Sequence, residues 1–160
     1  MLDWLTGTDA GKMCVTFFLS MLPVGELRIG LPYGIALGLE YPLALMAALL
    51  GNMIPVPFII VYIKRVFAWM RKHMPRMNDY IKNLEIKADQ KRGTIDKYGH
   101  WGLLLFVAIP LPGTGAWTAA LIAALLDIRT SKAVPVIMIG VCIAAAIITL
   151  VTYGVIHVAL

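Results

Sequence analysis

No aspartate, glutamate, lysine or arginine occurs between Ala133 and Leu160, a run of 28 residues. As an α-helix that run would be about 42 Å long, more than the roughly 30 Å of a bilayer's hydrocarbon core. A second uncharged stretch runs from Trp101 to Leu126, and from Phe17 to Ile63 the only charged residues are Glu26, Arg28 and Glu40. Stretches of this kind read as membrane segments. The expected fold is therefore an all-α membrane protein, and its 160 residues suggest one domain, 1–160.

The net charge of +5 does not point to nucleic acid, because the basic residues flank the apolar segments and follow a topological logic. Cys14 and Cys142 lie inside apolar segments with no metal or disulfide spacing, and are expected to be small buried packing residues. The opening apolar run lacks a basic leader and a small-residue cleavage site, so it is expected to be mature structure.

Two halves share one layout. Residues 13–39 form an apolar segment broken at Pro23-Val24-Gly25-Glu26-Leu27-Arg28, and 41–63 form a spanning helix containing Asn52, Pro55 and Pro57. After a polar stretch, 64–100, residues 101–126 are broken at Pro110-Leu111-Pro112-Gly113-Thr114-Gly115, and 133–160 form a second spanning helix. Each broken piece is only about 14–18 Å long as helix, about half the hydrocarbon core. Re-entrant helical hairpins fit these lengths, and so do kinked full crossings. Under the hairpin topology twelve of the fourteen basic residues share one side, ten of them in 64–100, and the positive-inside rule makes that side cytoplasmic. Both termini would then lie outside, and the halves would form an inverted repeat around a midplane site. Within 64–100, Val66, Met70, Met74, Met77, Ile81, Leu84 and Ala88 recur at helical spacing among basic residues, with Pro75 as a break and Gly93 as the expected end. This reads as an amphipathic segment on an anionic leaflet, or as a solvated helical linker.

Glu26 and Arg28 carry charge where it costs at least about 2.5–3.5 kcal/mol, so each needs a partner or a wet cavity. One reading makes Glu26 a proton-titrating carboxylate and Arg28 an anion-binding group; the other makes them an ion pair that closes the hairpin tip. The second tip contributes Pro110, Pro112, Gly113, Thr114, Gly115 and Thr118. A half-helix from Ala116 would aim its positive end at the midplane, where it suits an anion. Asn52 is expected to bond a hairpin tip, a substrate or a neighbouring helix. Thr149, Tyr153 and His157 are weaker candidates. The sequence offers no nucleophile–base pair, no metal cluster and no phosphate loop, so neither an enzyme nor a cofactor is expected.

Glu26-Leu27-Arg28-x-x-x-Pro32-x-Gly34, Gly51-Asn52-x-x-Pro55-x-Pro57 and Lys97-Tyr98-Gly99-x-Trp101-Gly102 carry a resemblance, together with Pro110-x-Pro112-Gly113-Thr114-Gly115-Ala116-Trp117-Thr118. The chain resembles the prokaryotic small multidrug export protein family, and in layout the broader DedA (SNARE-associated, VTT-domain) proteins. The resemblance implies a multi-pass protein of the prokaryotic inner membrane. DedA proteins carry arginines in their second hairpin, whereas the tip here is uncharged. The expected function is a small secondary transporter, proton-coupled through Glu26, for an amphiphilic or lipid-linked anionic substrate. Export of lipophilic cations and a non-transporting membrane scaffold are the alternatives. The expected partners are membrane lipids, the substrate and a second copy of the chain.

Overall fold

The computed structural model describes residues 6–98, 100–110 and 114–159, so Pro112 and Gly113 lie outside the described residues. The first helix, α1 (Asp9–Met21), starts where the Thr8 hydroxyl accepts the Gly11 N–H at 3.2 Å, with Asp9 in the positive first turn. It stops at Leu22, which precedes Pro23 and takes the extended angles that a following proline imposes. Next come α2 (Glu26–Ala36), α3 (Tyr41–Met53) and α4 (Pro55–His73), then a 3-10 turn at Pro75–Met77. The chain continues through α5 (Asn78–Tyr98), α6 (His100–Ala108), α7 (Ala116–Leu125) and α8 (Thr130–Ala159).

Ile54 keeps helical angles between α3 and α4, so the two form one rod, Tyr41–His73, interrupted where Pro55 and Pro57 withhold backbone donors. That rod and α8 are the helices, among the described residues, long and apolar enough to cross a membrane. They run antiparallel and are tied near both ends. Lys64 meets Asp127, in the turn between α7 and α8, at 2.6 Å. Tyr41 and Thr149 share a hydrogen bond of 3.0 Å, and the Tyr153 ring stands edge-on to Tyr41. Tyr41 to Lys64 is about 35 Å of helix and Thr130 to Thr149 about 28 Å, both close to a hydrocarbon core.

The four short helices are each about 20 Å or less. A Cβ on Gly38 would lie 3.9 Å from Lys12 Nζ, so α1 begins and α2 ends together, at the Tyr41 end of the rod. The turn after α7 ends beside Lys64, at the opposite end. α1 lies against α2 and α3, and α6 against α8; α7 crosses onto α4, and α2 lies against α3 and also reaches α8. Ala44, Ala48, Ala116, Ala119, Ala120 and Ala123 are buried along these crossings and let the backbones approach. Gly51 takes this furthest: a Cβ there would collide with the Phe17 carbonyl of α1.

Several expectations need correction. The first rod does not end at Ile63 but runs on to His73, because lysine and arginine are good helix formers and leaving lipid does not end a helix. The break expected at Pro75 is present: it separates α4 from α5, which fold together with Arg71 and Glu85 paired at 2.6 Å. Phe67, Ile81 and Ala88 turn inward, whereas Val66 and Met74 are exposed. Gly93 does not stop α5, which continues to Tyr98. Cys14 and Cys142 are exposed rather than buried, since in a bilayer an apolar residue gains nothing by turning inward. Ala44, Ala48 and Gly140 (against Val107) serve contacts within the chain.

Candidate functional site

The two tips meet inside the bundle. Leu22–Gly25 make the first, and α2 begins directly at Glu26. Glu26 is 7% exposed and has a positive φ of 49°. For a residue with a Cβ and no local side-chain compensation, that conformation costs on the order of 1–3 kcal/mol and persists only where its surroundings enforce it. It carries the carboxylate away from α2 and into the second tip.

There the Glu26 carboxylate accepts the backbone N–H of Trp117, Oε1 to N, at 3.1 Å. Trp117 is the second residue of α7, and Gly115, the residue capping α7, offers no side-chain acceptor. Glu26 therefore caps α7 from another hairpin, placing negative charge on the positive end of a helix. Gly115 makes room for it. Its φ is +151°, and a Cβ there would run into the Glu26 carboxylate.

Arg28, two residues along, donates through Nη2 to the Thr114 carbonyl and to the Thr114 hydroxyl, the latter at 3.0 Å. The Thr114 hydroxyl in turn reaches the Ile109 carbonyl, 2.7 Å away, just past the end of α6. Trp117 closes the junction from its other side: its indole Nε1 donates to the Met21 carbonyl at 3.1 Å, covering the orphaned C-terminus of α1. Glu26 and Arg28 still act on each other electrostatically, and each in addition bonds to the opposite tip.

Glu26 borders two clefts. One, of about 280 Å³, is lined by Pro23, Val24, Arg28, Thr114 and Thr118. The other has room for about one water-sized probe, about 10 Å³, and holds Asn52 with Glu26 and Arg28. A third, much larger groove of about 1020 Å³ runs along α1 and α4 and is lined by Phe18, Leu22, Phe58, Tyr62 and Trp117 among other apolar residues.

Of the residues singled out in the sequence, Glu26, Arg28, Asn52, Thr114, Gly115 and Thr118 converge here. Pro110 lies in the segment that leaves α6, where no helix needs its missing N–H. Thr149 and Tyr153 sit at the Tyr41 end and tie α3 to α8; the His157 side chain lies outside the described residues. Trp117 is the functional residue that sequence reasoning left out of the site, although the Trp-Thr continuation of the second tip was the signal for it. Among the described residues no group of three or more His, Cys, Asp or Glu side chains is placed to hold a metal.

An all-α membrane protein whose two broken segments lock tip to tip around a buried carboxylate has the build of a small transporter. The profile of the family described as "Putative small multi-drug export protein" matches residues 26–147, and the chain belongs to that family. No curated protein and no solved structure matches it.

Proposed function

We propose that the protein is a secondary transporter that exports amphiphilic molecules, with Glu26 as the group that couples transport to protons. One observation carries this reading. Trp117 lines the large apolar groove through its side chain and supplies, through its backbone, the N–H held by Glu26. Whatever fills the groove therefore acts on the residue that the carboxylate holds. A charged Glu26 binds α7 by a charge-assisted hydrogen bond, roughly twice as strong as a neutral one, with helix-dipole attraction of about 0.3–2 kcal/mol besides. Protonation weakens both. The resulting bias is of the 1–3 kcal/mol order that couples two sites.

The geometry favours lipophilic cations over the anionic amphiphile expected first. An anion would need Arg28 or the free N-terminus of α7, and both are already engaged, by Thr114 and by Glu26. The groove offers aromatic faces at Phe18, Phe58, Tyr62 and Trp117, and the Trp117 backbone N–H is held by the Glu26 carboxylate. Anion transport stays the second reading on one observation: Arg28, Thr114 and Thr118 share the 280 Å³ cleft, where an anionic group would sit once the tips part. Binding to the purified protein separates the two. Tetraphenylphosphonium is expected to bind, to bind less well as pH falls and protons compete for Glu26, and to lose its site in Glu26→Gln. Binding of an anionic detergent with none of the cation would reverse the assignment.

Re-entrant hairpins in an inverted repeat are part of the proposal. Four full crossings would put the segment after Lys64 and the turn at Asp127 on opposite faces of the membrane; their 2.6 Å contact supports a shared face. The packing of α7 on α4, with the smaller contact of α2 with α8, supports the repeat. The basic α4–α5 pair then faces the cytoplasm of a prokaryotic cell and the C-terminus lies outside. A reporter active only in the cytoplasm is expected to be silent when fused after Leu160 and active when inserted at Arg76. Activity at both positions would require four crossings.

A further inference from the structure

We propose that Asn52 is the hydrogen-bond acceptor for Glu26 in its protonated form. This rests on the reading of Glu26 as the coupling carboxylate and names the group that receives its proton-bearing oxygen. Asn52 is 2% exposed, and its side-chain carbonyl oxygen has no hydrogen-bond partner among the described residues. An orphaned acceptor at this depth costs about 1–3 kcal/mol. It lines the same small cleft as Glu26. Asn52 stands one turn before Pro55 and next to Gly51, whose lack of a side chain brings α1 against α3, so the amide has little freedom to turn elsewhere.

The chemistry of the two charge states fits this position. As a carboxylate Glu26 is an acceptor only, and two acceptors facing each other gain nothing. Once protonated, it has one O–H to give and can still accept the Trp117 N–H on its other oxygen. Among the described residues no competing acceptor side chain lines the cleft. α6, α7 and α8 supply Val107, Ala116, Val141, Ala144 and Ile148, and the only other ionic group is Arg28 on α2 itself, a donor. The proton comes from water through the 280 Å³ cleft that Glu26 also borders, and leaves the same way on deprotonation. Asn52 is thus a positioning residue: it removes the cost of an unpaired O–H and keeps the neutral carboxyl inside the bundle. The cleft has room for about one water, which allows the bond to form directly or through a single bridge.

Infrared difference spectra of the purified full-length protein between neutral and acid pH test this. The carboxylic C=O band missing from Glu26→Gln identifies Glu26. In Asn52→Leu, which fills the same space without an acceptor, that band is expected to shift upward, because a free carboxylic acid absorbs at higher wavenumber than a bonded one. Asn52→Ala, the variant with least risk to folding, is expected to shift it in the same direction. A Glu26 band unmoved in either folded variant would overturn the role of Asn52 and leave proton coupling standing. Absence of any Glu26 band from the unsubstituted protein would overturn both.

Discussion

Gly115→Ala is expected to cost the protein on the order of 3–5 kcal/mol and to abolish transport, although it adds a single methyl group. Two losses combine. At φ +151° and ψ −175° Gly115 occupies a region that is essentially glycine's alone, where a side chain costs about 1–3 kcal/mol. The methyl also points at the Glu26 carboxylate, which must withdraw from the Trp117 N–H. A bond to a charged acceptor is worth about 1.5–3 kcal/mol, and its loss leaves both the α7 terminus and a membrane-buried charge without their partner. Gly93→Ala is the internal control. Gly93 lies within α5 with open space around it, so alanine there is expected to stabilise by up to about 1 kcal/mol. Thermal unfolding in detergent reads both. Equal melting temperatures for the two variants would show that the tips do not depend on the fit between Gly115 and Glu26.

Glu26→Gln carries the second large effect, on function rather than on fold. Glutamine keeps the shape of glutamate and a carbonyl that can accept the Trp117 N–H, so insertion and a monodisperse folded state are expected to survive. What disappears is the capacity to gain and lose a proton. Proton-driven transport is expected to fall at least tenfold, whereas the tip-to-tip contact should resemble that of the protonated protein. Arg28 offers no rescue, because a guanidinium cannot release a proton at any relevant pH. Full proton-driven activity in a well-folded Glu26→Gln protein would remove this carboxylate from the coupling mechanism.

The elements of this fold differ in how far their sequence announces them. The breaks near Pro23 and Pro110 are visible because proline dictates the angles of its neighbours, and α8 is visible because lipid tolerates no charge along its length. The end of α4 is not visible in the same way. Hydropathy marks where the chain leaves lipid, whereas helix hydrogen bonding continues through Lys64, Arg65, Arg71 and Lys72 until Met74 meets Pro75. Gly93 misleads for a related reason: one glycine costs about 1 kcal/mol, too little to end a helix of 21 residues.

At the site, Glu26 and Arg28 stand out from sequence because they are charges among apolar residues. Of their partners, Thr114 is legible as part of the second tip, whereas Trp117, 91 residues from Glu26, is reached through a backbone N–H that carries no sequence signature. The positive φ of Glu26, whose carboxylate reaches the N-terminus of α7, runs against the preference of glutamate and follows only from the assembled bundle.

Transport by the unsubstituted protein in sealed liposomes tests the central claim most directly. A pH gradient would be imposed and then collapsed with a protonophore, while movement of tetraphenylphosphonium is followed. The account predicts gradient-dependent movement that stops on collapse and is missing from liposomes containing Glu26→Gln. Movement that ignores the gradient, or none from protein shown to be folded and inserted, would contradict it.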